Sequence, residues 1–259
     1  MRRWLAGVAI GGLMLMAGCS SGGGDGPAAA PSPTLDPAGA SCRYMVTDNA
    51  GRDVRFGVGG ATNLAGIIAG RGATGVVLAH QAESDVCIWD AEFHELVGQG
   101  YRVLAFDSNG YGASQTRLDT TYDDDVVAAA ALLRAAGASK IVLFGASMGG
   151  TYCLAAAARI QPPVTAVISA SGPTAYGGVD AEDAVPSLRM PVLFVAEDGD
   201  APFDDAAKTM YAKAKASSAR VLKVPPGSNH GVVLVRPPNG DPEVRLALEH
   251  FLRTYAPPA

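Results

Sequence analysis

The stretch KIVLFGASMGG, residues 140–150, joins a short apolar run to a serine that is flanked by small residues. Its first part, residues 140–144, consists of large and β-branched apolar residues after a lysine, which predicts a strand buried on both faces. Residues 148–160 have the length and periodicity of a helix. Ser147 is therefore predicted to lie in a sharp turn between a buried strand and a helix, where the neighbouring glycines leave room for the chain to fold back.

The same alternation of short apolar runs with longer helical segments continues through most of the chain. Further strands are predicted at residues 75–79, 102–106, 164–169, 192–195 and 220–224. Further helices are predicted at residues 89–99, 123–136, 204–216 and 243–255, and acidic residues near the start of three of them complement the helix dipole: Asp123, Asp204 and Glu243. Alternating strands and helices build a mostly parallel sheet that is covered on both faces, so we expect one α/β domain of about eight strands.

The beginning of this domain has a weaker pattern. Residues 42–70 predict two antiparallel strands, at about 42–47 and 54–58, along one edge of the sheet. No internal repeat is present.

Ser147 is the first candidate catalytic residue. A G-x-S-x-G pattern is common by chance, but between a buried strand and a helix it holds the serine in a strained turn that presents the hydroxyl to a substrate. The helix that begins at Met148 directs its N-terminal amides and partial positive charge toward negative charge that develops beside the serine. We therefore predict Ser147 as a nucleophile and the Met148 N–H as one oxyanion donor. The alternative is a glycine-rich turn whose serine does not react.

Several motifs together make the chain resemble the α/β-hydrolase superfamily, in particular its esterases and dienelactone-hydrolase-like members. In chain order they are VVLAHQ (76–81), CIW (87–89), GYRVLAFD (100–107), GYGAS (110–114), GASMGG (145–150) and NHG (229–231). The resemblance implies an α/β-hydrolase fold. Many members have a lid domain between the strands that here lie near residues 170 and 192, but this interval is too short for a large cap, so we expect an open site.

The resemblance also implies where a base and a second oxyanion donor should lie. The base follows the last core strand in this fold, and His230 lies in a loop of turn residues after the strand at 220–224. Gln81 stands where the family has a glycine in a His-Gly pair, so its N–H is the second candidate oxyanion donor. The preceding His80 is an alternative base, although a structural role in this loop is the more usual one.

The acid of a Ser-His-Asp triad is expected in the turn after the strand at 192–195. The family pattern strand-G-x-x-D places Asp200 there, with Glu197 at the usual glycine position, while Asp198 could serve instead. In such a triad the histidine takes the proton of the serine hydroxyl as the oxygen attacks a carbonyl carbon, and the aspartate fixes the imidazole tautomer. This chemistry needs neither a metal nor a cofactor.

The N-terminus predicts export. A basic pair at residues 2–3 precedes an apolar run at 4–17, which is short for a membrane span and typical of a signal peptide. The run ends in LMAGC, residues 15–19, which resembles a bacterial lipobox with Met in place of the usual Leu. Residues 1–18 are therefore predicted to be a lipoprotein signal peptide, with Cys19 carrying the lipid anchor. An ordinary signal peptide is the alternative.

The rest of the chain divides into a linker and one folded domain. Residues 19–40 are almost wholly Ser, Gly, Pro, Ala and Asp after the cysteine, which predicts a flexible linker, and residues 41–259 form the domain. Export would place the remaining cysteines in an oxidising compartment. Cys42 and Cys87 flank predicted strands near the same sheet edge and are the candidate disulfide, whereas Cys153 is predicted to be buried in the helix after Ser147.

Composition and charge narrow the classes of function. The formal net charge is −5 and no Lys/Arg cluster follows the signal peptide, so a nucleic-acid partner is not expected. The leading hypothesis is a carboxylic ester hydrolase that is anchored to the bacterial cell membrane or envelope surface and acts on small-molecule acyl esters. A peptidase or a thioesterase could use the same triad. A non-catalytic envelope lipoprotein that binds a ligand is the hypothesis from a different class.

Overall fold

An eight-stranded sheet forms the centre of residues 36–258, the part of the chain that the computed structural model describes. The strands of this sheet are β1 (Arg52–Phe56), β2 (Leu64–Ala69), β3 (Thr74–Ala79), β4 (Arg102–Asp107), β5 (Lys140–Ala146), β6 (Ala166–Ala170), β9 (Val192–Val195) and β10 (Arg220–Lys223). Two further strands, β7 (Ala175–Tyr176) and β8 (Val179–Asp180), form a separate hairpin. The α-helices are α1 (Tyr44–Thr47), α2 (Asp90–Gly98), α3 (Tyr122–Ala135), α4 (Met148–Ala157), α5 (Ala181–Ala184), α6 (Phe203–Lys213), α7 (Val232–Val235) and α8 (Pro242–Tyr255).

The strand order is β1-β2-β4-β3-β5-β6-β9-β10. β2 runs antiparallel to both of its neighbours, and the other pairs are parallel. Alternate residues of β5 pack into two different apolar clusters, Ile141 and Leu143 into one and Val142 and Phe144 into the other. The sheet is therefore buried on both faces, which confirms the predicted α/β class and explains why its strands have uninterrupted apolar sequences.

The predicted strands and helices from residue 74 onward are confirmed, with ends that differ by a few residues. The expected strand at 42–47 is wrong. That segment contains the end of a 3₁₀ helix, Ala40–Cys42, and the short helix α1, with Met45 buried beneath it. The antiparallel edge is instead made by β1 and by β2, which was not predicted.

The beginning and the end of the described chain lie at opposite ends of the strands, residue 36 near the carboxyl end of β4 and residue 257 at the amino end of β3. The Asp36 carbonyl accepts a hydrogen bond from Arg55, whose guanidinium also donates to the carbonyl of Ala113, in the loop that follows the carboxyl end of β4. At the other end, the Pro257 carbonyl accepts a hydrogen bond from the Thr74 hydroxyl at the amino end of β3, at 2.7 Å.

The first described residues are held against the domain. Ala38 is buried, so packing begins before the boundary predicted at residue 41. Cys42 and Cys87 form a disulfide that joins the first 3₁₀ helix to a second one, Val86–Trp89, while Cys153 is buried with a free thiol. Cys19, its lipid and the signal peptide lie outside the described residues. Within residues 36–258, no helix is both long and apolar enough to cross a bilayer.

The interval between β6 and β9 holds the β7–β8 hairpin, the one-turn helix α5 and a 3₁₀ turn, Val185–Ser187. This amount of structure is small, as the length of the interval predicted. It is far too little for a cap domain, and it leaves the carboxyl edge of β5 and β6 uncovered by any second domain among the described residues.

Candidate active site

Ser147 lies between β5 and α4 in a backbone conformation that is rare for a residue with a side chain. Its φ is 47° and its ψ is −118°, and its N–H donates to the Ala170 carbonyl at 2.7 Å. The flanking glycines are required by close backbone approach. A Cβ on Gly145 would lie 2.1 Å from the Gly149 carbonyl oxygen, and a Cβ on Gly149 would lie 2.2 Å from the Ala79 carbonyl oxygen. The strain of this turn is thus maintained by the sheet beneath it, which is the usual circumstance of a functional residue.

Two backbone amides beside the serine are available as oxyanion donors. Met148 is the first residue of α4, so its N–H has no acceptor within the helix. Within residues 36–258, neither the Met148 N–H nor the Gln81 N–H donates to a protein acceptor. Helix α4 adds the partial positive charge of its N-terminus at the same point. Both predicted donors are therefore free to bind a negatively charged oxygen.

His230 and Asp200 form a hydrogen-bonded pair. The imidazole Nδ1 lies 2.9 Å and 3.1 Å from the two carboxylate oxygens, and Asp200 is buried. An ionised carboxylate can only accept, so Nδ1 carries the proton and Nε2 is left as an acceptor. The ring of Phe203, in the first turn of α6, lies against the imidazole with 4.3 Å between ring centroids. The imidazole of His230 is thus held on one side by a carboxylate and on another by an aromatic ring.

Asp198, the alternative acid, has a different place. Its side chain is exposed and accepts a hydrogen bond from the Gly227 N–H at 3.1 Å. The geometry therefore pairs Asp200, and not Asp198, with the histidine.

The loop that carries His230 reaches the serine turn. We call residues 224–231 the histidine loop and residues 196–200 the acid turn. A Cβ on Gly231 would lie 3.7 Å from Ala146 Cβ, and the Gly231 N–H donates to Ser171 Oγ at 3.0 Å. Within residues 36–258, no hydrogen bond joins Ser147 Oγ to the imidazole. The structure brings Ser147, His230 and Asp200 to one edge of the sheet, without a hydrogen bond between the serine hydroxyl and the imidazole among the described residues.

His80, the alternative base, is fully occupied by structural contacts. It is completely buried, its Nδ1–H donates to the Gln81 carbonyl at 2.7 Å, and its Nε2 accepts the Ser108 N–H at 3.0 Å. Burial lowers the pKa of His80, so the ring is held neutral. Its ring also packs edge-on against Tyr111. His80 therefore shapes the loop that presents Gln81.

The sequence did not indicate several side chains that support these residues. The side chain of Gln81 also makes a contact, because its Oε1 accepts the Val232 N–H at 3.0 Å. This bond ties the loop after β3 to the start of α7, directly after the histidine loop. Ser171 and Phe203 gave no sequence signal at all. Glu197 gave a weak sequence signal, since it stands where glycine was expected. In the structure it contacts Asn229 from the acid turn.

Comparison with known proteins identifies the fold. A family described as the alpha/beta hydrolase fold matches residues 76–188. An esterase of Pyrococcus furiosus superposes with a TM-score of 0.68 at 15% identity, over 82% of this chain and 92% of that one. A dienelactone hydrolase of Anabaena variabilis gives 0.59 at 24% identity, over 79% and 98%. A thermophilic esterase of Thermogutta terrifontis gives 0.60 at 20% identity, over 78% and 98%. The protein has the α/β-hydrolase fold.

No curated protein sequence matches the chain. The identities to the solved structures are too low to transfer a substrate, so function has to be argued from the site itself.

Proposed function

We propose that the protein is a serine hydrolase that cleaves carboxylic esters of small molecules through Ser147, His230 and Asp200. The observation that carries the proposal is the hydrogen bond between the buried Asp200 and the partly exposed His230, at the same sheet edge as a serine in a strained strand-to-helix turn. A serine with only a structural role would not require this strained conformation. A histidine in an ordinary loop would not require a buried carboxylate as its partner.

The proposed reaction proceeds in two halves. His230 Nε2 takes the proton of Ser147 Oγ as the oxygen attacks the ester carbonyl carbon, and the oxyanion is bound by the N–H groups of Met148 and Gln81. The imidazolium then protonates the departing alcohol, which leaves an acyl group on the serine. Water then attacks the acyl carbon while the same histidine takes its proton. The acyl–Oγ bond breaks, the carboxylic acid leaves, and the imidazolium returns the proton to Ser147 Oγ, with Asp200 stabilising the imidazolium in both halves.

Aromatic rings lie beside the loop that carries His80 and Gln81. Four tyrosine rings follow one another from Tyr111, which packs against His80, to the β7–β8 hairpin, with neighbouring centroids 5.0 Å to 6.4 Å apart: Tyr111, Tyr122, Tyr152 and Tyr176. Tyr152 is fully buried, so the aromatic surface that an acyl or alcohol group could contact comes from Tyr111, Tyr122 and Tyr176. The interval between β6 and β9 holds no cap, so a substrate can approach without a lid movement.

Hydrolysis of p-nitrophenyl esters of increasing acyl length by the full-length protein in detergent tests this proposal. We expect a preferred chain length, and loss of activity to background in Ser147→Ala and in His230→Ala. A p-nitroanilide and an acyl thioester measured beside the esters separate an esterase from a peptidase or a thioesterase.

A fluorophosphonate probe provides the readout that does not depend on substrate. We expect it to label the wild type and not Ser147→Ala. A folded wild-type protein that neither labels nor hydrolyses any of the three substrate classes would contradict the proposal and favour a ligand-binding lipoprotein.

We further propose that the protein acts at the cell envelope, anchored by a lipid on Cys19. The support is the lipobox-like sequence at residues 15–19 and the polar, glycine-rich segment that follows it. Metabolic labelling with an alkyne fatty acid is expected to mark the wild type and to fail in Cys19→Ala. An unlabelled protein released to the medium by wild-type cells would indicate an ordinary signal peptide instead.

A further inference from the structure

We propose that Glu197 is a positioning residue that fixes the histidine loop, so that His230 is held by two carboxylates of one turn: Asp200 directly and Glu197 through its neighbour Asn229. Its effect on catalysis rests on the proposed function, while its effect on the imidazole does not.

The contacts of Glu197 are directed at the residue before the histidine. Glu197 is 1% exposed. Its Oε2 accepts the Asn229 N–H at 2.6 Å and its Oε1 accepts the Asn229 Nδ2–H at 2.8 Å. One carboxylate therefore fixes both the backbone and the side chain of Asn229, which leaves the adjacent His230 little freedom to rotate.

Asn229 lies beyond the point where backbone pairing of the two loops ends. The Asp198 N–H donates to the Pro225 carbonyl at 2.9 Å, and the Gly199 N–H donates to the Gly227 carbonyl at 2.7 Å. Beyond Gly227, from Ser228 to His230, the hydrogen bonds that join the histidine loop to the acid turn come from two side chains, Glu197 and Asp200. The last stretch before the imidazole thus depends on these carboxylates.

The space for the Glu197 carboxylate is built into the histidine loop. A Cβ on Gly227 would lie 1.9 Å from Glu197 Oε2, and Gly227 has a φ of 149°, in a region that favours glycine. The family pattern has a glycine at residue 197 of the acid turn. Here residue 197 is a glutamate, and a glycine lies opposite it, at residue 227 of the histidine loop. The unusual glutamate is therefore accommodated by its partner loop.

The energetics make this contact a strong constraint. Within the described residues, no Lys, Arg or His nitrogen lies within ion-pair distance of Glu197, so the hydrogen bonds to Asn229 are what compensates its burial. Hydrogen bonds to an ionised acceptor are about twice as strong as neutral ones, and breaking them leaves a buried charge without partners. Asn229 consequently has one strongly preferred position.

Four variants of the full-length protein separate positioning from general stability. Glu197→Ala removes both acceptors. Asn229→Asp sets two carboxylates against each other, and combining it with Glu197→Gln restores the pairing, because the Gln amide donates to the new carboxylate and its carbonyl accepts the residue 229 N–H. Leu252→Ala, on the buried face of α8, is the destabilised control.

Two readouts are measured: the downfield NMR resonance of the His230 Nδ1 proton, assigned by its absence in His230→Ala, and the kinetics of ester hydrolysis. In Glu197→Ala and in Asn229→Asp we expect the resonance to broaden or disappear and kcat to fall about 100-fold, as a misplaced catalytic group does, with KM little changed. The double variant should recover both readouts. Leu252→Ala should lower Tm and change neither.

Glu197→Ala with a lower Tm but wild-type kcat and an unchanged resonance would overturn the inference, as would a double variant that recovers neither readout. If Glu197→Ala does not fold, Asn229→Asp and the double variant decide the question. A wild type that hydrolyses no ester, yet whose resonance is lost in Glu197→Ala and recovered in the double variant, would refute the proposed function and leave the positioning role intact.

Discussion

Replacing Glu92 with glutamine should make the stability of the protein less sensitive to alkaline pH. Glu92 lies on α2 and is buried, and within residues 36–258 neither carboxylate oxygen has a partner with hydrogen-bond geometry. Burial raises the pKa of Glu92 from 4.5 to about 8, although its own backbone N–H and the charge of Arg236 lower it in part. The folded protein therefore keeps this carboxyl protonated at neutral pH.

The magnitude follows from the two pKa values. Between pH 4.5 and about 8 the folded chain retains a proton that the unfolded chain releases, so the free energy of unfolding falls as pH rises. Each pH unit is worth about 1.4 kcal/mol, and the whole interval about 5 kcal/mol as an upper limit. Above pH 8 the contribution is constant. Domains are stable by only about 5–15 kcal/mol, so the ionisation of this one group changes the free energy of unfolding by a large part of its total.

Urea unfolding of the wild type and of Glu92→Gln at pH 5, 7 and 9 measures the effect. Glutamine cannot ionise, so the two proteins should have similar stability at pH 5 and the variant should be the more stable by a few kcal/mol at pH 9. Asp125 is also buried with its pKa raised to about 7, and it contributes equally to both proteins, so the difference between them isolates Glu92. The exposed Glu243, changed to glutamine, is the control. Parallel stability profiles in wild type and variant would refute the reasoning.

Three further changes test other parts of the structure. Asp200→Asn should reduce kcat by roughly 10⁴-fold while Asp198→Asn leaves it near the wild-type value, as measured by ester hydrolysis; the reverse order would assign the acid to the exposed side chain. Gln81→Ala should lower the free energy of unfolding by about 1–3 kcal/mol, because a backbone N–H of the helix after the histidine loop loses its acceptor; Gln81→Glu keeps an acceptor and should cost less in the same urea titration. Reduction of the Cys42–Cys87 disulfide, which spans 45 residues, should cost about 4 kcal/mol by the loop-entropy relation; an unchanged Tm with reductant would show that it constrains little.

Segments whose local sequence and burial agree could be predicted from the sequence. β5, β9 and the helices after them have apolar patterns that match the sheet on which they lie. β2 was missed because Gly66 interrupts its pattern, yet a Cβ there would lie 2.9 Å from the Ala105 carbonyl, so the glycine is required by the neighbouring strand. Residues 42–47 read as a strand from their Tyr, Val and Thr residues, but the disulfide at Cys42 and the burial of Met45 fix a helical turn.

In the candidate site, too, contiguous features could be predicted from the sequence, whereas contacts between distant residues could not. The serine turn was predictable because its strand, glycines and helix are contiguous. The choice between Asp198 and Asp200 was not, because two carboxylates in one turn differ only in which is buried against a histidine 30 residues away. The Glu197–Asn229 contact joins residues 32 positions apart, and no local pattern encodes it.

The opposite locations of Asp36 and Pro257 have a practical consequence for attaching the protein to a surface. Asp36 lies at the carboxyl edge of the sheet, the edge that bears Ser147, whereas Pro257 lies at the amino edge. A bead or electrode coupled through the C-terminus would leave the serine facing the bulk solution. Coupling directly at residue 36 would turn the serine toward the support, so access to dissolved substrate would then depend on the length of the spacer.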